Sequence, residues 1–280
     1  MSHRYNRRAF LVGLTGSSLG LAGCASRGEA GGLTGPTFDS LVSDVSIGSR
    51  DVVVELASSD VTEVVLIAPD GTVFDSQQVQ TGTSIVRFQI IEFDSGSNIT
   101  SHYLPGTYDL VVVADDSEFR QELSLVPDVQ ITGVRQYREG NSSFDLARIV
   151  FTAKNAGTGP TWVYDATFED APNYTANNDL INEPSIPYVE LPTSEGDYIM
   201  SSGEEQSYLI TSNPLAFPET ESNYERQFQP FVMQIGIADS SSIETTLIPT
   251  YGGNQVALSQ VDRVVYSRVG LEIERPERNV

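Results

Sequence analysis

A chain of 280 residues can bury one large hydrophobic core or two ordinary ones. Its 38 acidic side chains against 16 basic ones give a net charge of −22, which argues against nucleic acid as a partner, because phosphate backbones are held by basic stripes. The single cysteine, Cys24, excludes an internal disulfide, a cysteine-rich zinc site and an iron–sulfur cluster.

The first element is a leader. Residues 6–12 read Asn-Arg-Arg-Ala-Phe-Leu-Val, and a weakly apolar stretch follows as far as Leu21-Ala22-Gly23-Cys24. Between Phe10 and Gly23 this stretch is too short, and too diluted with glycine and serine, to cross a bilayer as a helix, so it reads as a signal rather than an anchor. The pair Arg7 and Arg8, with Phe10 and Leu11 behind it, resembles a twin-arginine export signal, and Leu21, Ala22 and Gly23 before Cys24 resemble a lipobox. Asn6 and Val12 depart from the usual pattern and leave the arginine pair intact. The resemblance implies that the chain crosses the membrane already folded, loses residues 1–23 and takes a lipid on Cys24. The membrane would then be its first partner, contacted through that lipid on the outer face. A buried methylene contributes about 0.8 kcal/mol and one acyl chain holds only marginally, so lasting attachment calls for two chains.

Loss of the leader removes Arg4, Arg7 and Arg8 and leaves 13 basic side chains against 38 acidic ones, a charge of −25. Self-repulsion of that size loosens a compact state in dilute buffer and is screened in molar salt, where the Debye length is roughly 3 Å. Lys154 is the only lysine, and this usage resembles that of halophilic archaea; the alternative is an acidic secreted protein from ordinary water. Residues 24–38 follow as the lipidated cysteine and a linker. From Ala25 to Thr37 there are four glycines and a proline with no apolar period, a flexible tether spanning about 20 Å as a coil.

From residue 39 onward, short β-type runs recur about every ten residues between turn residues, the pattern of a sandwich or barrel. Strands are expected near 41–47, 51–57, 63–68, 72–79, 84–91, 107–114 and 119–126. Pro69-Asp70-Gly71 fits a hairpin turn, Pro setting φ and Gly accepting φ > 0. Leu104-Pro-Gly-Thr-Tyr108, leading into Asp109-Leu-Val-Val-Val, resembles the start of a late strand in extracellular sandwich domains. Pro127-Asp128 resets the pattern, and further strands are expected near 129–137, 147–154, 161–168, 206–211, 231–238, 243–248 and 264–273. Residues 149–160, ending Asn-Ala-Gly-Thr-Gly-Pro, are similar to the strand-and-turn of CARDB-like and related adhesion-type sandwich domains. The expected fold is therefore all-β: two tandem immunoglobulin-like sandwiches, 39–127 and 128–280, behind signal and tether.

Two long connections, 169–205 and 212–230, interrupt the second sandwich. Connections of that length in a compact domain are functional or disordered. They carry Tyr174, Tyr188, Tyr198, Phe217, Tyr224 and Phe228 among seven prolines, and amphipathic rings favour recognition surfaces. Tyr174, Tyr188, Tyr198, Tyr224 and Phe228 are the candidate binding residues, the competing reading being that the rings pin the loops to their own sandwich. Asn98, Asn141 and Asn173 begin sequons for N-linked sugar, all in expected loops.

Catalytic candidates fail one by one. Gly16-Ser17-Ser18-Leu19-Gly20 matches a nucleophile elbow but lies inside the leader. Only His102 survives leader removal, in an expected polar loop, with no second histidine or thiolate to build a triad or a copper or zinc shell. Asp115, Asp116 and Glu118, or Asp165, Glu169 and Asp170, could hold calcium or act as acid and base, yet no Asp-x-Asp-x-Asp-Gly loop is present, and an acidic chain makes such groups by chance. Trp162 reads as core. No catalytic residue, metal ligand or cofactor is assigned. The expected function is a non-catalytic binding or structural module on the surface of a halophile, with an envelope protein or glycan as partner. The alternatives are an exported carboxylate- or calcium-dependent hydrolase and a solute-capturing lipoprotein of a transporter, the last disfavoured by the lack of helical periodicity.

Overall fold

Short apolar runs between turn residues fold almost entirely into antiparallel strands, as the alternation requires. The structure, a computed structural model, describes residues 36–93, 99–173, 189–190, 199–218, 229–238, 241–258 and 261–274. A single helical turn, α1 (Phe38–Leu41), leads into β1 (Val42–Ile47), β2 (Asp51–Leu56), β3 (Val61–Ile67), β4 (Val73–Gln78), β5 (Ile85–Gln89), the short hairpin β6 (Ile91–Phe93) and β7 (Ile99–His102), β8 (Gly106–Ala114) and β9 (Ser117–Leu125). Sheets β1-β2-β5 and β4-β3-β8-β9 share one core, filled by the inward residues of each strand, among them Val52, Val54, Leu66, Phe88, Tyr108 and Val112.

Two local motifs fix this first sandwich. Gly71 N–H donates to Ala68 O at 2.9 Å and Gly71 takes φ 80°, so the β3–β4 hairpin closes as the Pro-Asp-Gly sequence requires. Thr72 donates its N–H and its hydroxyl to the Asp70 carboxylate, which holds that carboxyl below the usual range. At the start of β8, the Tyr108 hydroxyl donates to Leu104 O at 3.0 Å and accepts from Leu104 N at 3.1 Å. This is the tyrosine corner of immunoglobulin-like sandwiches, and it gives the Leu-Pro-Gly-Thr-Tyr run its physical meaning.

The second set is β10 (Val129–Gln136), a 3-10 turn (Ser143–Ala147), β11 (Ile149–Asn155), β12 (Val163–Glu169), β13 (Val189–Glu190), β14 (Glu205–Ile210), β15 (Phe217–Pro218), β16 (Phe231–Ile237), β17 (Ser241–Leu258) and β18 (Arg263–Ile273). Sheets β10-β11-β14-β13 and β12-β16-β17-β18-β15 enclose a second core, in which Phe151 stacks on Tyr208 at 5.1 Å. Every expected strand has a counterpart, with one large difference. β17 does not stop near 248 but runs on through Pro249 and a bulge at Gly252 to Leu258, changing partner from β16 to β18 at Leu247. Pro249 lies past the last β16 pair, an edge position where a missing N–H is tolerated. Gln136 staples the two sheets: its amide donates to Tyr266 O at 2.9 Å and accepts from Val269 N at 3.0 Å.

Register gives each strand a direction and each sandwich two ends. In the first, Val42 pairs with Leu56 and Val61 with Ala114, so the chain enters at this end; Gly106 pairs with Leu125 at the other, where it leaves. In the second, Val129 pairs with Asn155 and Val163 with Ile237 beside that exit, while Gln136 pairs with Ile149 and Glu169 with Val232 at the far end. Where the sandwiches meet, Thr158 N–H donates to Val126 O at 2.8 Å, Ala156 N–H to Asp128 O at 2.7 Å and the Tyr103 hydroxyl to Pro160 O at 2.7 Å.

Candidate functional site

The far end of the second sandwich carries the start of the first long connection, the strand β13 within it and both bases of the second connection. β12 ends at Glu169, and the next residue, Asp170, has a φ of 61° that turns the chain out of the sheet. Ala171 is buried, and Asn173 then ties one connection to the other: its backbone N–H donates to Pro214 O at 3.1 Å and its side-chain amide to Asn213 O at 3.0 Å. Leu215 N–H donates to Ala147 O at 3.1 Å, so the second connection is also fastened to the 3-10 turn. Leu215, Ala216 and Phe217 are buried behind this fastening.

Arg148 is the charged centre of the same end. Its Nε donates to Ile210 O at 2.7 Å, and its guanidinium lies 3.5 Å from both Asp145 and Glu190 and 5.6 Å from the Tyr137 ring centroid. Glu190 belongs to β13, which is paired to the last residues of β14. One arginine thus spans the 3-10 turn, β14 and the two-residue strand between the described stretches of the first connection. It sits in a part-buried setting where a bond to a charged group is stronger than at the surface.

Of the sequence-derived site residues, Tyr174, Tyr188, Tyr198, Tyr224 and Phe228 lie outside the described residues. So do Arg7, Arg8, Phe10, Leu11, Leu21, Ala22, Gly23 and Cys24 of the leader, and Asn98. Phe217, the one loop ring that is described, packs edge-on against Tyr251 and Tyr266 at 4.9 and 5.8 Å; it is a pin, not a contact. The two described sequons differ. Asn141 is exposed just before the 3-10 turn, whereas Asn173 uses the amide nitrogen that would carry a sugar to bond Asn213.

The carboxylate groups resolve into local structure. Asp115 and Asp116 have φ of 48° and 62° and form the two-residue turn between β8 and β9, a geometry in which short polar residues are tolerated. Glu118 pairs with Arg120 at 3.2 Å. Asp165 is buried and caps Ala166 N–H, while Glu169 and Asp170 are exposed four and five residues along, about 13 Å and beyond on an extended strand. That is no acid–base pair. Among the described residues no group of three or more potential ligands is placed to hold a metal. His102 lies not in a loop but at the end of strand β7, exposed, with its ring edge-on to Trp162 at 5.4 Å.

Sequence reasoning missed Arg148 and Asn173 as tethering residues because nothing in their local sequence announces partners up to 62 residues away. No family model matches the chain, and no curated protein matches it. Among solved structures it is similar to one described as a crystal structure with xylogluco-oligosaccharide, at 16% identity and TM-score 0.29, over 72% of this chain and 38% of that one. It is also similar to a protein of unknown function from Porphyromonas gingivalis W83, at 11% identity and TM-score 0.20, over 72% and 94% of the two chains. A third similarity is to the eight N-terminal Ig domains of Down Syndrome Cell Adhesion Molecule, at 11% identity and TM-score 0.18, over 79% and 29%. None of the three assigns an activity or a ligand to this chain.

Proposed function

We propose that this chain is a lipid-anchored surface module, held outside the membrane through Cys24, that binds an envelope protein or glycan with the far end of its second sandwich. The observation that carries the reading is the register. The chain enters the first sandwich at one end and the sandwiches meet at the other; the start of the first long connection, its strand β13 and both bases of the second connection lie at the end of the second sandwich away from that meeting, and the first connection returns to the meeting only at Met200–Glu205. A surface module needs its contact loops remote from its anchor, and a serial arrangement of this kind supplies the distance. Non-catalytic binding is also the simpler reading of carboxylates that serve a turn at Asp115 and Asp116.

The test is to replace residues 174–188 and 219–228 by short glycine linkers and to probe capture of partners from native envelope. A folded protein that captures nothing supports the reading; a folded protein that still captures its partner places the contact elsewhere. The anchor is tested separately. Cys24→Ser moves the protein from membrane to medium, and Arg7→Lys with Arg8→Lys retains precursor in the cytoplasm. A halophile setting adds that thermal stability climbs from dilute buffer to molar salt, since screening relieves the net charge.

A further inference from the structure

We infer that the second sandwich closes the core of the first, so that the two fold and unfold as one cooperative unit rather than as two independent beads. The core of the first sandwich contains, besides its own residues, Trp162 and Ile199 as buried members, with Tyr164 and Ala238 packed against it. All four follow residue 128 in the chain and come from three separate segments of the second sandwich: the start of β12, the approach to β14 and the residue just past β16. A core whose open end is filled from another sheet system exposes its inner residues when that filler leaves.

The backbone geometry makes the contact obligatory. A Cβ on Gly157 would stand 2.2 Å from Val126 O and 2.4 Å from Asp128 N, and one on Gly159 would stand 2.3 Å from the Tyr103 hydroxyl and 2.8 Å from Leu125 C. Both glycines are required by close approach, neither having the positive φ that would explain them otherwise. Asn155, fully buried, uses its whole amide at the same place: it donates to Gly159 O at 2.8 Å and Met200 O at 3.1 Å, and accepts from Gly157 N at 3.1 Å and Asp128 N at 3.2 Å. The Asn-Ala-Gly-Thr-Gly-Pro run is therefore a clamp that holds the segment leaving the first sandwich. The described residues accordingly fall in one compact unit spanning 36–280.

Trp162 is the only tryptophan, so its emission reports this contact without any label. In urea, the full chain should show one transition, with the red shift of Trp162 emission and the loss of far-UV dichroism coinciding. Hydrogen exchange in β2 and β11 should collapse together. A tryptophan shift that precedes the loss of dichroism, or β2 keeping full protection while β11 exchanges, overturns the inference. Gly159→Ala should lower the midpoint seen by both probes in both sandwiches equally. Where that variant fails to fold, Tyr103→Phe, which removes one hydrogen bond across the contact, provides a mild version: a small loss in both sandwiches is expected, and a loss confined to one of them overturns the inference.

Discussion

The first sandwich turns most of its corners in a few residues, with Asp115 and Asp116 alone joining β8 to β9, whereas the second runs from the end of β12 at Glu169 to the start of β14 at Glu205 with, among the described residues, the two-residue strand β13 and a bridge at Met200 between. Both have the same core chemistry, and both satisfy their strand edges in the same economical way, by side-chain amides reaching backbone: Gln77 to Arg87 O in the first, Gln136 to Tyr266 O in the second. What differs is where chain length is spent. Among the described residues the first sandwich uses mostly short connections. The second carries two long connections, and Arg148 and Asn173 fasten the described parts of them to the sheets.

The largest expected effects come from core truncation, and they test whether the contrast lies only at the surface. Phe88→Ala in the first core and Phe151→Ala in the second, both at fully buried positions, should each cost about 3–5 kcal/mol. If the sandwiches are coupled, each variant lowers the single midpoint of chemical unfolding by a similar amount. A variant that splits the curve into two steps shows that the halves differ in stability as well as in loops.

Next in size is Arg148→Ala, which removes the bond to Ile210 O and leaves Asp145 and Glu190 without their shared cation. Glu190 is mostly exposed, so water recovers part of the loss and the cost is about 1–2 kcal/mol. The readout that distinguishes a loop fastener from general support is exchange at β13 and β14, which should rise while β2 and β8 stay protected under native conditions. Equal loosening everywhere would make Arg148 an ordinary core support.

Tyr108→Phe should cost about 1 kcal/mol through the two lost bonds to Leu104, and it also has a signature in pH. Burial pushes the Tyr108 hydroxyl above the ordinary tyrosine range, against the lowering effect of the Leu104 bond, and burial pushes Tyr208 up further. A raised folded-state value means that the unfolded chain releases the proton first. The stability these hydroxyls contribute is therefore complete below about pH 10 and lost as pH climbs above it. Tyr108→Phe should flatten that alkaline decline in the unfolding free energy, and an unchanged slope would show that Tyr208 alone sets it.

Legibility followed locality. The Pro-Asp-Gly hairpin and the strand leading from Leu104 to Tyr108 were readable because turn residues and alternation act over a few positions. The clamp at Asn155 was readable as a motif but not as a clamp, since its partners Asp128 and Met200 lie 27 and 45 residues away. Trp162 reads correctly as buried, yet the core that buries it is the one N-terminal to its own sandwich, which no local pattern records. β17 runs past its expected end because Pro249 and the Gly252-Gly253 pair, breakers in a central strand, are acceptable where a strand changes partner. Of the candidate site, composition and length pointed to the long connections; the residues that root them, Arg148 and Asn173, depend on tertiary contact alone.

The smallest effect tests the plain half of the comparison. Asp115 and Asp116 occupy both central positions of the β8–β9 turn with positive φ, and the residues that suit that turn best are Asn followed by Gly. Gly has no Cβ to clash in the left-handed region, while Asn keeps the local hydrogen bonding that lets a short polar side chain sit there. Asp115→Asn with Asp116→Gly should therefore raise stability, by up to about 1 kcal/mol, and it removes two negative charges from an over-acidic surface. The gain is expected to be the same with calcium present or chelated. Were the pair a cation site, the variant would instead lose a calcium-dependent rise in melting temperature that the unaltered chain possesses. A simple stabilisation, indifferent to calcium, means that these carboxylates are there to turn a strand.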